Sequence, residues 1–204
     1  MIRKNNYSLL LLAGGKSSRI GKNKAELYYE GKTFTQLLIS KARDLGIDQI
    51  YISGFQECGE NIHTVWDQYP DRGPLGGIHA CMKVIKTPFC LVLPVDAPKL
   101  PREILESLLV YHEKYREGIN GTKEIPLIWE HGDRKEPLIA VYPVAMADTI
   151  ENLIREHSAP VFRVLDRWGY ECFRKEISEQ QIINVNTPEL YEALLRSSEK
   201  EPKA

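Results

Sequence analysis

The residues of this chain suited to phosphate chemistry fall in separate short segments. The first runs Leu12-Ala-Gly-Gly-Lys-Ser-Ser-Arg-Ile-Gly-Lys-Asn-Lys24, where the pair Gly14-Gly15 precedes the cationic side chains Lys16, Arg19, Lys22 and Lys24. Glycines at a strand end let backbone N–H groups approach a ligand closely. Amide donors beside dense positive charge suit a polyphosphate. Two familiar phosphate loops are excluded, since neither G-x-x-x-x-G-K-[ST] nor G-x-G-x-x-G fits around Gly14, Gly15 and Gly21. A second segment, Asp67-Gln-Tyr-Pro-Asp-Arg-Gly-Pro-Leu-Gly-Gly77, sets Gly73, Gly76 and Gly77 around Pro74 and Leu75, so its backbone can lie against a flat ligand. Taken alone, it also reads as a Pro-Gly turn that opens a helix.

A third segment, Leu93-Pro-Val-Asp-Ala-Pro-Lys-Leu-Pro101, puts Asp96 directly after the most apolar stretch of the chain. Magnesium is commonly held by one or two carboxylates, with phosphate oxygens and water completing its shell. A structural aspartate in an Asp-x-Pro turn is the other reading. In the fourth segment, Asn184-Val-Asn-Thr-Pro-Glu-Leu190, Thr187 suits a helix N-cap and Pro188 a first helical position. Capping requires neither Asn184 nor Asn186, which leaves both for a ligand or metal site.

The elements that must carry these segments alternate along the chain. Leu9–Leu12 is a short apolar run bounded by glycine, and reads as a buried strand. Leu27-Tyr28-Tyr29 reads as another short strand. Phe34, Leu37, Leu38, Ala42 and Leu45 mark one face of a helix stopped by Gly46. Strands are expected at Ile50–Ile52 and Ile62–Trp66, and a helix over Leu75–Lys86. Phe89–Val95 is expected to be a central parallel strand covered on both sides. A helix opened by Pro101 follows, then a hairpin around His131-Gly132-Asp133. Helices are expected over 143–156 and 160–168, a strand near Tyr170–Arg174, and a last helix from Pro188. This is an α/β pattern with a mostly parallel sheet and helices on both faces. Such sheets bind ligands beyond the carboxyl ends of their strands, which is where Gly14, Asp67 and Asp96 fall. The expected organisation is one domain over 1–198 with a frayed polar tail at 199–204.

Composition narrows the function. The chain has 204 residues, 43% hydrophobic and 27% charged, with a formal net charge of −1. That balance gives no global electrostatic case for nucleic acid or an anionic membrane. The N-terminal apolar run is too short to span a bilayer and enters the glycine loop directly, so it reads as a strand and not as a signal peptide. Cys58, Cys81, Cys90 and Cys172 form no C-x-x-C pair, which speaks against a zinc site or a disulfide framework and fits a cytoplasmic protein. Cys81 and Cys90 read as core thiols, and His112 as a packing histidine on a helix face.

The signature L-A-G-G-x-S-x-R-x-G-x-x-K resembles the opening of the molybdenum cofactor guanylyltransferases, within the wider nucleotidyltransferases that release pyrophosphate from a nucleoside triphosphate. The other segments resemble the family's G-P-L-x-G, x-D-x-P and N-x-N-T-P-E endings in the same order. Departures are Ile20 where methionine is usual, Asn23 where aspartate is frequent, Val95 where cysteine is common, and one residue fewer before Leu190. The resemblance implies a Rossmann-like three-layer nucleotidyltransferase fold. It further implies transfer of GMP from Mg-GTP to the terminal phosphate of molybdenum-molybdopterin. Leu12, Ala13, Gly14, Gly15, Lys24, Asp67, Gly73, Pro74, Leu75, Gly76 and Asp96 would bind the nucleotide, with Asp67 on either base or ribose. Arg19, Lys24 and Asp96 would be catalytic, Asp96 would hold Mg²⁺, and Asn184 and Asn186 would support the pterin or metal side. Lys135–Leu138 and Ser158–Arg167 occupy regions that would meet the second substrate, with Arg134, Arg163 and Arg167 as anion-binding or plain surface residues. Transient contact with molybdenum-insertion proteins or apo-molybdoenzymes is implied as well. Alternatives are the related cytidylyltransferase, another small-phosphate nucleotidyltransferase, and a non-catalytic nucleotide- or pterin-binding adaptor.

Overall fold

The computed structural model describes residues 2–14, 23–118, 123–156, 160–178 and 181–198. A seven-stranded sheet organises the chain, in the order β5 (Ile62–Val65), β4 (Ile50–Ser53), β1 (Tyr7–Leu12), β6 (Phe89–Pro94), β8 (Arg134–Pro143), β7 (Leu127–His131) and β9 (Glu171–Arg174). The first four strands are mutually parallel, and β7 is parallel to β9, while β8 runs against both its neighbours. Phe89–Pro94 is therefore parallel to β1 on one side only, a correction to the expectation of a fully parallel strand. Its continuous hydrophobicity reflects cover on both faces, which is independent of the neighbour's direction.

Alternate residues of each strand feed opposite layers. Leu9, Leu11, Leu91 and Leu93 pack with α1 (Phe34–Asp44), α3 (Arg102–Gly118) and α6 (Pro188–Ser198). Leu10, Cys90, Val92 and Ile128 pack with α2 (Pro74–Met82), α4 (Ala147–Glu156) and α5 (Val161–Trp168). α1 starts in a reciprocal capping box, Thr33 with Gln36, and stops before Gly46, which takes φ of 79°. α2 ends four residues earlier than its apolar spacing suggests. Ile85 still reaches the core, but from a turn in which its N–H bonds Cys81 O. Tyr28–Tyr29 (β2) pairs with Lys32–Thr33 (β3) as a separate two-stranded unit, whose second strand has no apolar signal.

The β7–β8 ladder shifts register at Pro137. Trp129 pairs with Glu136 while Ile128 pairs with Ala140, so Pro137–Ile139 bulge from β8. Proline has no N–H to give the ladder, and a bulge is where a strand tolerates it. Beyond Ala140 toward its start, β8 leaves β6 and continues with β7 alone. Among the described residues, no helix is long and apolar enough to cross a membrane.

Candidate active site

Loops at the carboxyl ends of β1, β4, β5 and β6 surround a cavity of about 700 Å³. On one side lie Leu12, Ala13 and Gly14, with Pro94, Val95 and Asp96 beside them; on the other lie Asp67, Gly73 and Pro74. Leu138, turned out by the bulge in β8, contributes a third wall. Gly15 and Arg19, with Lys16 and Lys22, fall outside the described residues.

Lys24 and Asp96 meet at the cavity. Lys24 sits on a short 3-10 turn, Lys24–Glu26, whose N-cap Asn23 accepts from Ala25 N at 3.1 Å. An aspartate at this position would carry the same acceptor oxygen, so the cap does not depend on which of the two is present. Lys24 Nζ donates to Asp96 Oδ2 at 2.9 Å and also to Asn186 Oδ1. The pair is sheltered, with side chains 18% and 20% exposed. Val185, fully buried, donates its N–H to Asp96 O at 2.8 Å, which pins the segment 184–186 to the Asp96 loop. From the other side, Lys41 Nζ on α1 holds Pro98 O at 2.6 Å and Leu100 O at 2.8 Å. Burial brings the Lys41 pKa down to about 8. Asn184 Oδ1 is buried with no hydrogen-bond partner among the described residues.

Across the cavity, Ser53 Oγ donates to Asp67 Oδ1 at 3.0 Å. Desolvation raises the Asp67 pKa, and the Ser53 hydroxyl and nearby His79 work against that rise. Gly76 lies under this loop: a Cβ there would stand 2.9 Å from Asp67 Oδ2 and 3.0 Å from Tyr69 O. Leu75 points into the core and, like Gly76, does not line the cavity. Sequence reasoning missed Ser53 and Asp71 as lining residues, whereas Gly77, singled out with Gly73 and Gly76 as part of a close-approach backbone, does line the cavity. Only the position of Ser53 at a strand's carboxyl end marked it. Arg134 pairs with Glu136 at 3.1 Å, and Arg163 and Arg167 lie exposed on α5 away from the cavity lining.

A Cβ on Gly77 would lie 3.0 Å from Ser53 Cβ and 3.2 Å from Leu12 Cδ2, closer than packed carbons tolerate. We expect Gly77→Ala to cost about 1–3 kcal/mol in thermal unfolding. It should also raise the KM for the nucleotide by displacing Ser53 from Asp67. Wild-type values for both would show that α2 shifts without strain.

The donor set can accept a cation. Asp96 and Asn186 turn oxygens toward one point, and an ammonium stands there. Among the described residues no group of three or more His, Cys, Asp or Glu could hold a metal. A divalent ion here would therefore rely on phosphate oxygens and water, as magnesium does.

A mostly parallel sheet carrying such a cavity at its carboxyl edge defines an α/β protein with a ligand crevice where folds of this kind place theirs. Comparison with known proteins specifies it: residues 9–171 match the MobA-like NTP transferase domain, and the chain belongs to that family. It is 32% identical to a probable molybdenum cofactor guanylyltransferase of Clostridium perfringens, over 98% of this chain and 100% of the relative. It is also 32% identical to the molybdenum cofactor guanylyltransferase of Pseudomonas aeruginosa, over 90% of this chain and 91% of that one. Among solved structures it resembles molybdopterin-guanine dinucleotide biosynthesis protein A of Archaeoglobus fulgidus, with a TM-score of 0.72 and 25% identity over 96% and 99% of the two chains.

Proposed function

We propose that the protein transfers GMP from GTP to the terminal phosphate of molybdenum-molybdopterin, releasing pyrophosphate and forming the guanine dinucleotide cofactor. The observation that carries this reading is the pairing of Lys24, itself bonded to Asn186, with Asp96 in the same cavity of nucleotide size that Asp67 and Gly73–Pro74 line. Full-length similarity to relatives bearing the guanylyltransferase name supports it.

In this reading an oxygen of the acceptor phosphate forms the new bond to the α-phosphorus of GTP, and the bond to the bridging oxygen of pyrophosphate breaks. The acceptor is already anionic, so no general base is needed. Catalysis then rests on alignment and charge stabilisation. The Gly14–Gly15 backbone, Arg19 and Lys24 would hold the triphosphate. Asp67 would face the base or ribose beside Gly73, Pro74, Leu75 and Gly76. Asp96, with Asn186 beside it, would hold Mg²⁺ or Mn²⁺, which supplies charge neutralisation on the phosphates when bound. Asn184 and Asn186 would support the pterin or metal side, and Leu138 with the Lys135–Leu138 segment would wall the acceptor side. The reading carries with it a cytoplasmic location, where GTP is available and thiols such as the exposed Cys58 stay reduced.

Thermal shift with GTP, CTP, ATP and UTP, each with and without Mg²⁺, tests the nucleotide half. Ligand at 100 times its Kd stabilises by about 2.7 kcal/mol, or roughly 5–11 °C for a chain of this size. The expected result is a Mg²⁺-dependent shift with GTP alone, followed by product analysis with the pterin acceptor. A preference for CTP would reassign the enzyme as a cytidylyltransferase.

A further inference from the structure

The loop between β5 and α2 has two sides. Asp67, Asp71 and Gly73 line the cavity, whereas Tyr69 turns away and packs on the core beneath α2 and α4. Its hydroxyl donates to Glu151 Oε1 at 3.0 Å and accepts from Arg155 Nε at 2.9 Å. Arg155 closes the triangle with a bond of 2.5 Å from its terminal nitrogen to the same Glu151 oxygen. The phenol ring stands edge-on to His79 of α2, with centroids 5.5 Å apart. The second Glu151 oxygen lies 3.5 Å from His79 Nε2 and 3.7 Å from Lys83 Nζ. One carboxylate on α4 thus gathers the loop, the helix that follows the loop, and its own helix. Donation by the Tyr69 hydroxyl, reinforced by Arg155, holds Glu151 ionised, with a pKa of about 2.

The loop transmits this anchor to the cavity. Tyr69 O and Asp67 Oδ2 both rest against the bare face of Gly76, at 3.0 and 2.9 Å from where a Cβ would be. A shift of Tyr69 therefore slides the backbone over Gly76 and carries Asp67 with it. We propose that Glu151, acting through Tyr69, is the positioning residue for the nucleoside-side loop. It sets where Asp67 stands, and so the affinity for the nucleoside, without touching the phosphates. This rests on the GTP reading above.

The test compares wild type with Tyr69→Phe and Glu151→Gln, substitutions that keep side-chain volume. Titrations use Mg-GTP and, separately, inorganic tripolyphosphate. The Tyr69–Glu151 bond is made with and without nucleotide, so only the part of its roughly 12–160-fold worth that fixes Asp67 reaches the affinity, about tenfold. The expected result is a Kd and KM for GTP raised about tenfold, with kcat and tripolyphosphate affinity within about twofold of wild type. The double variant should be no worse than the poorer single one, because the two groups act in series. Unchanged GTP affinity in both variants, or equal weakening of GTP and tripolyphosphate, would overturn the proposal. Wild-type protein that failed to bind GTP at all would instead remove the reading on which it rests.

Discussion

Asp96→Ala should lower kcat by about 10²–10³-fold, the usual loss when one preorganised electrostatic group is removed from a reacting centre. The KM for GTP should change much less, since Gly73, Pro74 and Asp67 on the far wall are untouched. Asp96→Asn gives the sharper comparison. It keeps an oxygen for Lys24 and removes only the charge, so it should be nearly as inactive if the carboxylate is needed for a metal. The Lys24–Asp96 pair is about one-fifth exposed, and solvent screening limits its structural worth to about 1 kcal/mol. Both variants should therefore unfold close to the wild-type temperature. Steady-state turnover and thermal unfolding on the same preparations separate the two effects. Wild-type turnover in Asp96→Ala would exclude the residue from the reaction, and pterin binding without turnover in the wild type would mark an adaptor.

The second large effect lies at the opposite edge of the sheet and concerns stability. His112 of α3 is fully buried, with Nδ1 2.7 Å from the Tyr7 hydroxyl, which itself donates to Glu113 Oε1 at 3.0 Å. Burial, helped by Arg116, brings the His112 pKa down from 6.5 to about 3. The folded protein therefore keeps the imidazole neutral while the unfolded chain protonates it near pH 6.5. The contribution is fully present above pH 6.5 and is lost as pH falls toward 3, by about 3–5 kcal/mol. Urea unfolding at pH 7, 5.5, 4.5 and 3.5 should show this decline. His112→Gln should flatten the part of it that His112 supplies. Other shifted groups remain in both proteins: His79, lowered by burial; Glu151, lowered by Tyr69 and Arg155; Glu130, lowered by Arg174; Glu189, lowered by Thr187; and Asp67, raised by burial. The difference between the two curves isolates His112, and parallel curves would show that its protonation is not coupled to folding.

Much of the architecture was legible because strand and helix periods differ and glycine marks the ends. The run at Leu9–Leu12, the stripe Phe34–Leu45 before Gly46, and the hairpin at Gly132-Asp133 all fall where their patterns indicated. The end of α2 was not legible, because Ile85 serves the core equally well from a turn. Nor was the reversal of β8 beside β6, since a strand buried on both faces reads the same in either direction. The site was legible as motifs but not as contacts. Nothing local joins Lys24 to Asn186, 162 positions apart, or Tyr69 to Glu151, 82 apart. Ser53 escaped notice for a similar reason. A serine after an apolar strand is commonplace until the fold sets it against a helix with no side chain in the way.

The proline-induced slip in β8 separates two jobs along one strand. Ala140 and Val141 are locked between β6 and β7, Tyr142 and Pro143 pair with β6, and any change along this stretch disturbs the core. From Arg134 to Glu136 its ladder runs with β7 alone, so residues can be added or removed in pairs around Gly132-Asp133 without altering the register beneath, at the cost of the side-chain contacts to Tyr170 and Glu176. The nucleotide side has no such freedom, being built from strand ends and close-packed glycines. A change in hairpin length is therefore confined to the β7–β8 tip and its contacts with Glu176 and Tyr170, and the strands that border the cavity keep their register.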